Sequence, residues 1–111
     1  MGIFIQTHLR GQITANDMSA GPGFPLPGVL CEFRVFPAPA LVKVPASRSD
    51  EEACTLSIAA VTAWMALNGI KPLGSYDQTK GQTVLIQGTG GVSIAGLFLA
   101  KAIGAKGKCR S

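Results

Sequence analysis

Charge is scarce in this chain: Asp, Glu, Lys and Arg together make up 14% of its 111 residues. The apolar share, 47%, is ordinary for a globular protein, so the scarcity of charge does not signal disorder. Aromatic residues are few, with one Trp and one Tyr, and none is interleaved with the basic residues. That argues against a nucleic-acid surface. Lys101, Lys106, Lys108 and Arg110 gather near the C-terminus and dominate the net charge of +4. They read as cations at a helix C-terminus followed by a solvated tail, not as a membrane contact. The three cysteines, Cys31, Cys54 and Cys109, are too far apart for a zinc knuckle or a redox pair, and read as reduced thiols of a cytosolic protein. No charged-then-apolar leader opens the chain, and the weakly apolar run 56–67 is too short to cross a bilayer. These absences point to one small, soluble, cytoplasmic domain with no membrane or nucleic-acid partner.

Glycine, by contrast, is plentiful, and it is concentrated where it carries most meaning. The run Thr83-Val84-Leu85-Ile86-Gln87 suits a buried parallel strand. Gly88, Thr89, Gly90 and Gly91 then turn the chain into an apolar helix through Val92, Ala95, Leu97, Leu99, Ala102 and Ile103, stopped by Gly104. Gly88 permits a sharp reversal, and Gly90 and Gly91 keep the surface bare enough for a pyrophosphate to approach the main chain. The first N–H groups of the helix would point at that phosphate, helped by the helix dipole. Gly96 would let helix and strand pack closely. The spacing is Gly88-x-Gly90-x-x-Ser93, so Ser93 stands where the dinucleotide fingerprint has its last glycine; its hydroxyl could bond the phosphate or the helix start. No Lys-Ser/Thr follows the glycines, as a phosphate-binding P-loop would require.

Upstream, residues 1–9 begin apolar and read as a strand, and residues 10–28 as a long loop rich in Gly, Pro, Asn, Asp and Ser. Residues 29–36 alternate partly and predict a strand, and residues 41–44 a second short one ending at Pro45. Ser49-Asp50-Glu51-Glu52 forms a capping box that opens a helix from Asp50, broken near Ser57, running through Trp64 and Leu67 and ending at Asn68-Gly69. Residues 71–81 read as a polar loop. After Gly104 the tail has no apolar run, so the second strand of a parallel sheet is expected to be missing and the chain to be a piece of a longer one.

In this order, Phe33-Arg34-Val35-Phe36-Pro37, Leu41-Val42-Lys43-Val44-Pro45, Ser49-Asp50-Glu51-Glu52-Ala53, Val61-Thr62-Ala63-Trp64 and the stretch from Gly81 to Ser93 resemble the medium-chain dehydrogenase/reductase superfamily, in its zinc-type alcohol dehydrogenase-like and quinone-oxidoreductase-like branches. The resemblance implies an α/β fold: the last part of a GroES-like β-barrel over residues 1–45, a connecting helix and loop over 46–80, and the first strand–turn–helix of a Rossmann domain from residue 81. It implies NAD(P)H as cofactor, a dinucleotide and a small-molecule substrate as partners, and leaves a homo-oligomer open. Gly88, Thr89, Gly90, Gly91, Val92 and Ser93 fall on the pyrophosphate turn, and Thr62 on the threonine that such proteins place beside the nicotinamide. Read without the resemblance, Thr62 is a helix-interior threonine bonding its own backbone.

Departures from the pattern are as informative. Ile58 occupies the position where zinc-dependent members carry a cysteine ligand, Cys54 is a full helical turn away, and the four-cysteine structural lobe has no counterpart in residues 10–28. His8, the only histidine, reads as a strand-end residue, and three converging zinc ligands cannot be assembled. No general acid or base stands out among Asp17, Glu32, Asp50, Glu51, Glu52 and Asp77. Two functions from different classes follow: an NAD(P)-dependent oxidoreductase of the zinc-independent medium-chain type, or a non-catalytic remnant that associates through exposed apolar surface.

Overall fold

A computed structural model describes residues 1–2, 5–69 and 80–110. Ile3 and Phe4, within the first predicted strand, and most of the predicted loop 71–81 lie outside the described residues. The chain divides into two units, Met1–Ser57 and Ile58–Ser111.

The N-terminal unit contains little regular structure. Its helix α1 (Ala15–Met18) starts from a capping box: the Thr14 hydroxyl accepts from the Asp17 N–H at 3.4 Å, while the Asp17 carboxylate accepts from the Thr14 N–H at 2.9 Å. Helix α2 (Asp50–Ala53) starts the same way from Ser49 and Glu52, as the sequence predicted, with three acidic residues in its first turn. Between them lies a single 3₁₀ turn, Ala38–Ala40.

The strands predicted for residues 1–9, 29–36 and 41–44 are not formed among the described residues. What remains of them is an antiparallel bridge between Gly2 and Leu41, closed by the Val42 N–H donating to the Met1 carbonyl at 2.8 Å. The physical reason is pairing. An alternating pattern states which face a strand would bury, but the strand exists only when a neighbour takes its N–H and C=O groups. No described segment pairs with residues 29–36, and Leu30, Phe33 and Val35 stand almost fully exposed at 104%, 92% and 95%.

The C-terminal unit is a small α/β piece. A π-helical turn, Leu56–Ala60, spans the division between the units and leads into α3 (Val61–Asn68), which ends at Gly69 with φ +60°. The break predicted near Ser57 is thus a widened turn in an otherwise helical run. Strand β1 (Thr83–Gln87) and helix α4 (Gly91–Ala102) form where predicted, but the expectation of a buried strand is corrected: only Ile86 of β1 is buried, and Leu85 is exposed. The chain does not stop there, however. Residues Lys106–Arg110 form β2, parallel to β1 with Thr83 opposite Lys106 and Gln87 opposite Arg110. The expectation that the second strand is missing is corrected: no apolar run is needed, because β1 supplies the ladder partner and only alternate residues of β2 meet the helix.

Helix α4 ends in a Schellman motif. The Ala105 N–H donates to the Ala100 carbonyl at 2.9 Å and the Gly104 N–H to Lys101 at 3.1 Å, with Gly104 at φ +77°. This reversal returns the chain directly into β2. Packing in the unit relies on small residues. Ala63 and Ala100 are buried, and a Cβ added to Gly96 would lie 3.4 Å from Ile86 Cδ1 and 3.9 Å from Ala63 Cβ. Gly96 therefore lets α4 approach its strand, as the sequence suggested, and also α3.

Candidate functional site

The turn from Gln87 to Ser93 sits where β1 delivers the chain to α4. Gly88 has φ +78°, a conformation that L side chains rarely adopt, and a Cβ built there or on Gly90 would meet nothing within 4 Å. Gly88 thus makes the reversal, and Gly90 leaves the outer surface bare. Gly91 differs from the expectation of a bare surface: its added Cβ would contact Ala59 Cβ of the π turn at 3.6 Å. It sits at the junction of α4 with the preceding helical run.

The main-chain amides of the turn divide into two sets. The Gly88 N–H donates to the Arg110 carbonyl at 2.8 Å and so belongs to the sheet. The first intrahelical bond of α4 is made by Ile94, whose N–H donates to the Gly90 carbonyl at 3.0 Å, and no side chain caps the helix. No acceptor among the described residues takes the N–H groups of Gly91, Val92 or Ser93. These are the orphan donors of a helix start, converging at the positive end of a helix of 12 residues. Such a group of donors beside an open glycine surface is suited to an anion.

Ser93 does not point its hydroxyl at that surface. It donates to the Gln87 carbonyl at 2.8 Å, tying the first turn of α4 back to the last residue of β1. Its sequence position suggested a bond to a phosphate or to the helix start; in the structure the hydroxyl bonds the end of β1 instead. The Cys109 thiol makes a parallel tie from β2, with Sγ 3.2 Å from the Gly88 carbonyl. Sequence reasoning missed this contact and β2 with it. The available signal was the alternation of small residues, Gly107 and Cys109, with the charged Lys106, Lys108 and Arg110. Thr89 and Val92 are exposed on the turn, and Thr62 is exposed on α3 beside the buried Ala63. The structure therefore brings Gly88, Thr89, Gly90, Gly91, Val92 and Ser93 into one bend, with Thr62 on the helix that packs against α4.

Among the described residues His8 and the carboxylates Asp17, Glu32, Asp50, Glu51 and Glu52 all lie in the N-terminal unit. Asp17 accepts from the Thr14 hydroxyl at 2.7 Å and from Thr7 at 2.9 Å, and His8 Nδ1 is 3.7 Å away. The Thr14 hydroxyl, with the Thr14 N–H and Thr7, lowers the Asp17 pKa to about 2. His8, read from sequence as a strand-end residue, belongs to this cluster around the α1 cap. Glu51 is also held below the usual carboxylate range, by its backbone hydrogen bond and by Ser49. Among the described residues no three His, Cys, Asp or Glu side chains gather as a metal would need, and Ile58 lies exposed on the π turn. A shallow depression of about 650 Å³, lined by Pro27, Gly28, Leu30, Cys31 and Arg34, holds no such group either. No helix among the described residues is long and apolar enough to cross a membrane.

No family model matches the chain. It is 40% identical over 102 residues to a zinc-type alcohol dehydrogenase-like protein of Schizosaccharomyces pombe. The match takes in 92% of this chain and 29% of that relative's length.

Proposed function

Because the chain belongs to the medium-chain dehydrogenase/reductase superfamily, we propose that its glycine turn binds the diphosphate of NAD(P)(H) in an oxidoreductase of the alcohol dehydrogenase or quinone reductase type. The observation that supports this most is the set of free amides on Gly91, Val92 and Ser93, presented just after Gly88 at φ +78° and beside the open surface of Gly90. When bound, the nicotinamide supplies hydride exchange with an alcohol or carbonyl, or with an enone or quinone. The chain's own part is to bind and orient. The first-turn amides would fix the diphosphate, Ser93 and Cys109 hold the bend to both strands, and the family resemblance assigns Thr62 to the nicotinamide. On this reading residues 81–111 begin a Rossmann domain, residues 46–80 are the connecting helix and loop, and residues 1–45 belong to a GroES-like barrel. A cytoplasmic protein with a small-molecule substrate, working as a homo-oligomer, completes the proposal.

Ile58 offers no lone pair, and the cysteines do not converge with a histidine or carboxylate among the described residues, so this chain's donor set does not fit a zinc ion. The test is a fluorescence titration of the chain with NADPH and NADH. Saturable binding that Gly90→Glu abolishes, with the fold kept by circular dichroism, is the expected result. No saturable binding of either nucleotide refutes the proposal.

A further inference from the structure

The two strands of the sheet present different free edges. The Lys106 N–H donates to the Gln82 carbonyl and the Gly88 N–H to the Arg110 carbonyl, both at 2.8 Å. The even-numbered residues of β1 therefore turn their N–H and C=O groups toward β2, and Thr83, Leu85 and Gln87 turn theirs to the other side. Among the described residues no strand lies there, since β2 is the one neighbour of β1. The Gln87 carbonyl is taken by the Ser93 hydroxyl at 2.8 Å. The Leu85 and Gln87 N–H groups and the Thr83 and Leu85 carbonyls have no partner among the described residues. Side chains alternate too. Ile86 lies under α4, its Cδ1 3.4 Å from a Cβ added to Gly96, so Leu85 stands on the opposite face, 69% exposed.

Charge distinguishes the two edges. β1, Thr-Val-Leu-Ile-Gln, carries none, whereas Lys106, Lys108 and Arg110 make β2 strongly basic. Residues 80–111 contain no Asp or Glu to neutralise them. Cations on an edge strand guard it against pairing with its like. Two β2 strands meeting antiparallel would set cations directly opposite one another, Lys108 against Lys108 in the centred register. β1 has no such guard.

Independently of the dinucleotide reading, we propose that the free edge of β1 docks a second copy of this chain, antiparallel about a two-fold axis at Leu85, giving one sheet in the order β2-β1-β1-β2. The open groups match their own image. Leu85 exchanges N–H and C=O with Leu85 of the second copy, and the Gln87 N–H of each copy reaches the Thr83 carbonyl of the other. On the face away from α4 the Leu85 side chains lie directly opposite, with Cα atoms about 5.5 Å apart, and leave water together. The basic β2 strands come to the outer edges, about 14 Å apart at the usual strand spacing and beyond the screening length of about 8 Å at physiological salt. The same charges that forbid pairing through β2 are thus tolerated in pairing through β1.

The experiment is sedimentation velocity of the 111-residue chain, with amide hydrogen exchange read at the lowest and highest concentrations. A five-residue ladder makes an interface below the standard size, so a dissociation constant on the order of 10–100 µM is expected. Leu85→Lys, at an exposed position, should weaken the dimer roughly tenfold or more while circular dichroism stays that of the wild type. In the wild-type chain the Leu85 and Gln87 amides should gain protection as concentration rises, while Val84 and Ile86, bonded to β2, are protected throughout. A chain that stays monomeric at concentrations well above that constant overturns the proposal. So does a dimer of unchanged affinity in Leu85→Lys. Protection of Leu85 and Gln87 that is independent of concentration overturns it as well, because it would place a segment of the same chain on that edge.

Discussion

Both units leave large apolar side chains exposed, Leu85 and Phe98 in the C-terminal one included, but only the C-terminal unit builds a helix onto paired strands. In the C-terminal unit Ile86, Ala63, Gly96 and Ala100 are buried where a helix lies on a parallel pair of strands. In the N-terminal unit Leu30, Phe33 and Val35 are as apolar as anything in the chain, yet they face solvent. What differs is the origin of the partner. β1 finds its neighbour about 20 residues later in the sequence, across a helix that returns the chain to it, so the closure entropy is modest. Residues 29–36 have no partner among the described residues. Hydrophobic pattern without a ladder partner makes neither a strand nor a core.

Substitutions at the buried positions should test that difference most severely. Ala100 is 0% exposed, so Ala100→Leu should overpack the contact between α4 and β2 and cost about 1–3 kcal/mol in urea unfolding followed by Trp64 fluorescence. A change near zero would mean that this contact is not packed as described. Gly88→Ala comes next. At φ +78° a side chain costs about 1–2 kcal/mol, whatever the open space around it. Wild-type stability in that variant would show that the bend can relax and that its glycine is not required.

In the N-terminal unit the expected effects are local. Thr14→Ala removes the cap of α1 and should lower stability by about 1 kcal/mol or less, seen as lost amide protection over Ala15–Met18. Asp17 gives the pH dependence. Its pKa is lowered from 3.8 to about 2, so the folded form binds this proton less readily than the unfolded chain. The stabilisation is fully present above pH 3.8 and is lost as pH falls through about 2. The Thr14 amide resonance should titrate with a midpoint near 2 and lose that transition in Asp17→Asn; a midpoint at the ordinary carboxylate value would disprove the cap network. The smallest effect belongs to Phe33→Ser, expected within about 0.5 kcal/mol of wild type because the ring is 92% exposed. A loss above 2 kcal/mol would erase the contrast between the units.

Much of the turn was legible because its information is local. A strand run, a glycine that must take positive φ and a helix stopped by Gly104 are written within consecutive residues. The Ser49 box was legible for the same reason. The Thr14 box carries the same signature, Thr14-x-x-Asp17, but is embedded in a segment whose Gly and Pro content reads as loop. β2 was missed because its strand character comes from β1, 23 residues away between Thr83 and Lys106 (106 − 83), and not from its own composition. Partner-dependence also explains the opposite error at residues 29–36.

By itself the sequence determined the bend, its glycines, the caps of α2 and the end of α4, since each depends on backbone angles and hydrogen bonds set within a few residues. Tertiary structure alone decided that the tail after Gly104 is a strand, that the Ser93 hydroxyl turns back to β1, and that Arg110 stands beside the turn. Those outcomes depend on which distant backbone comes within hydrogen-bonding reach, and a linear pattern does not specify that.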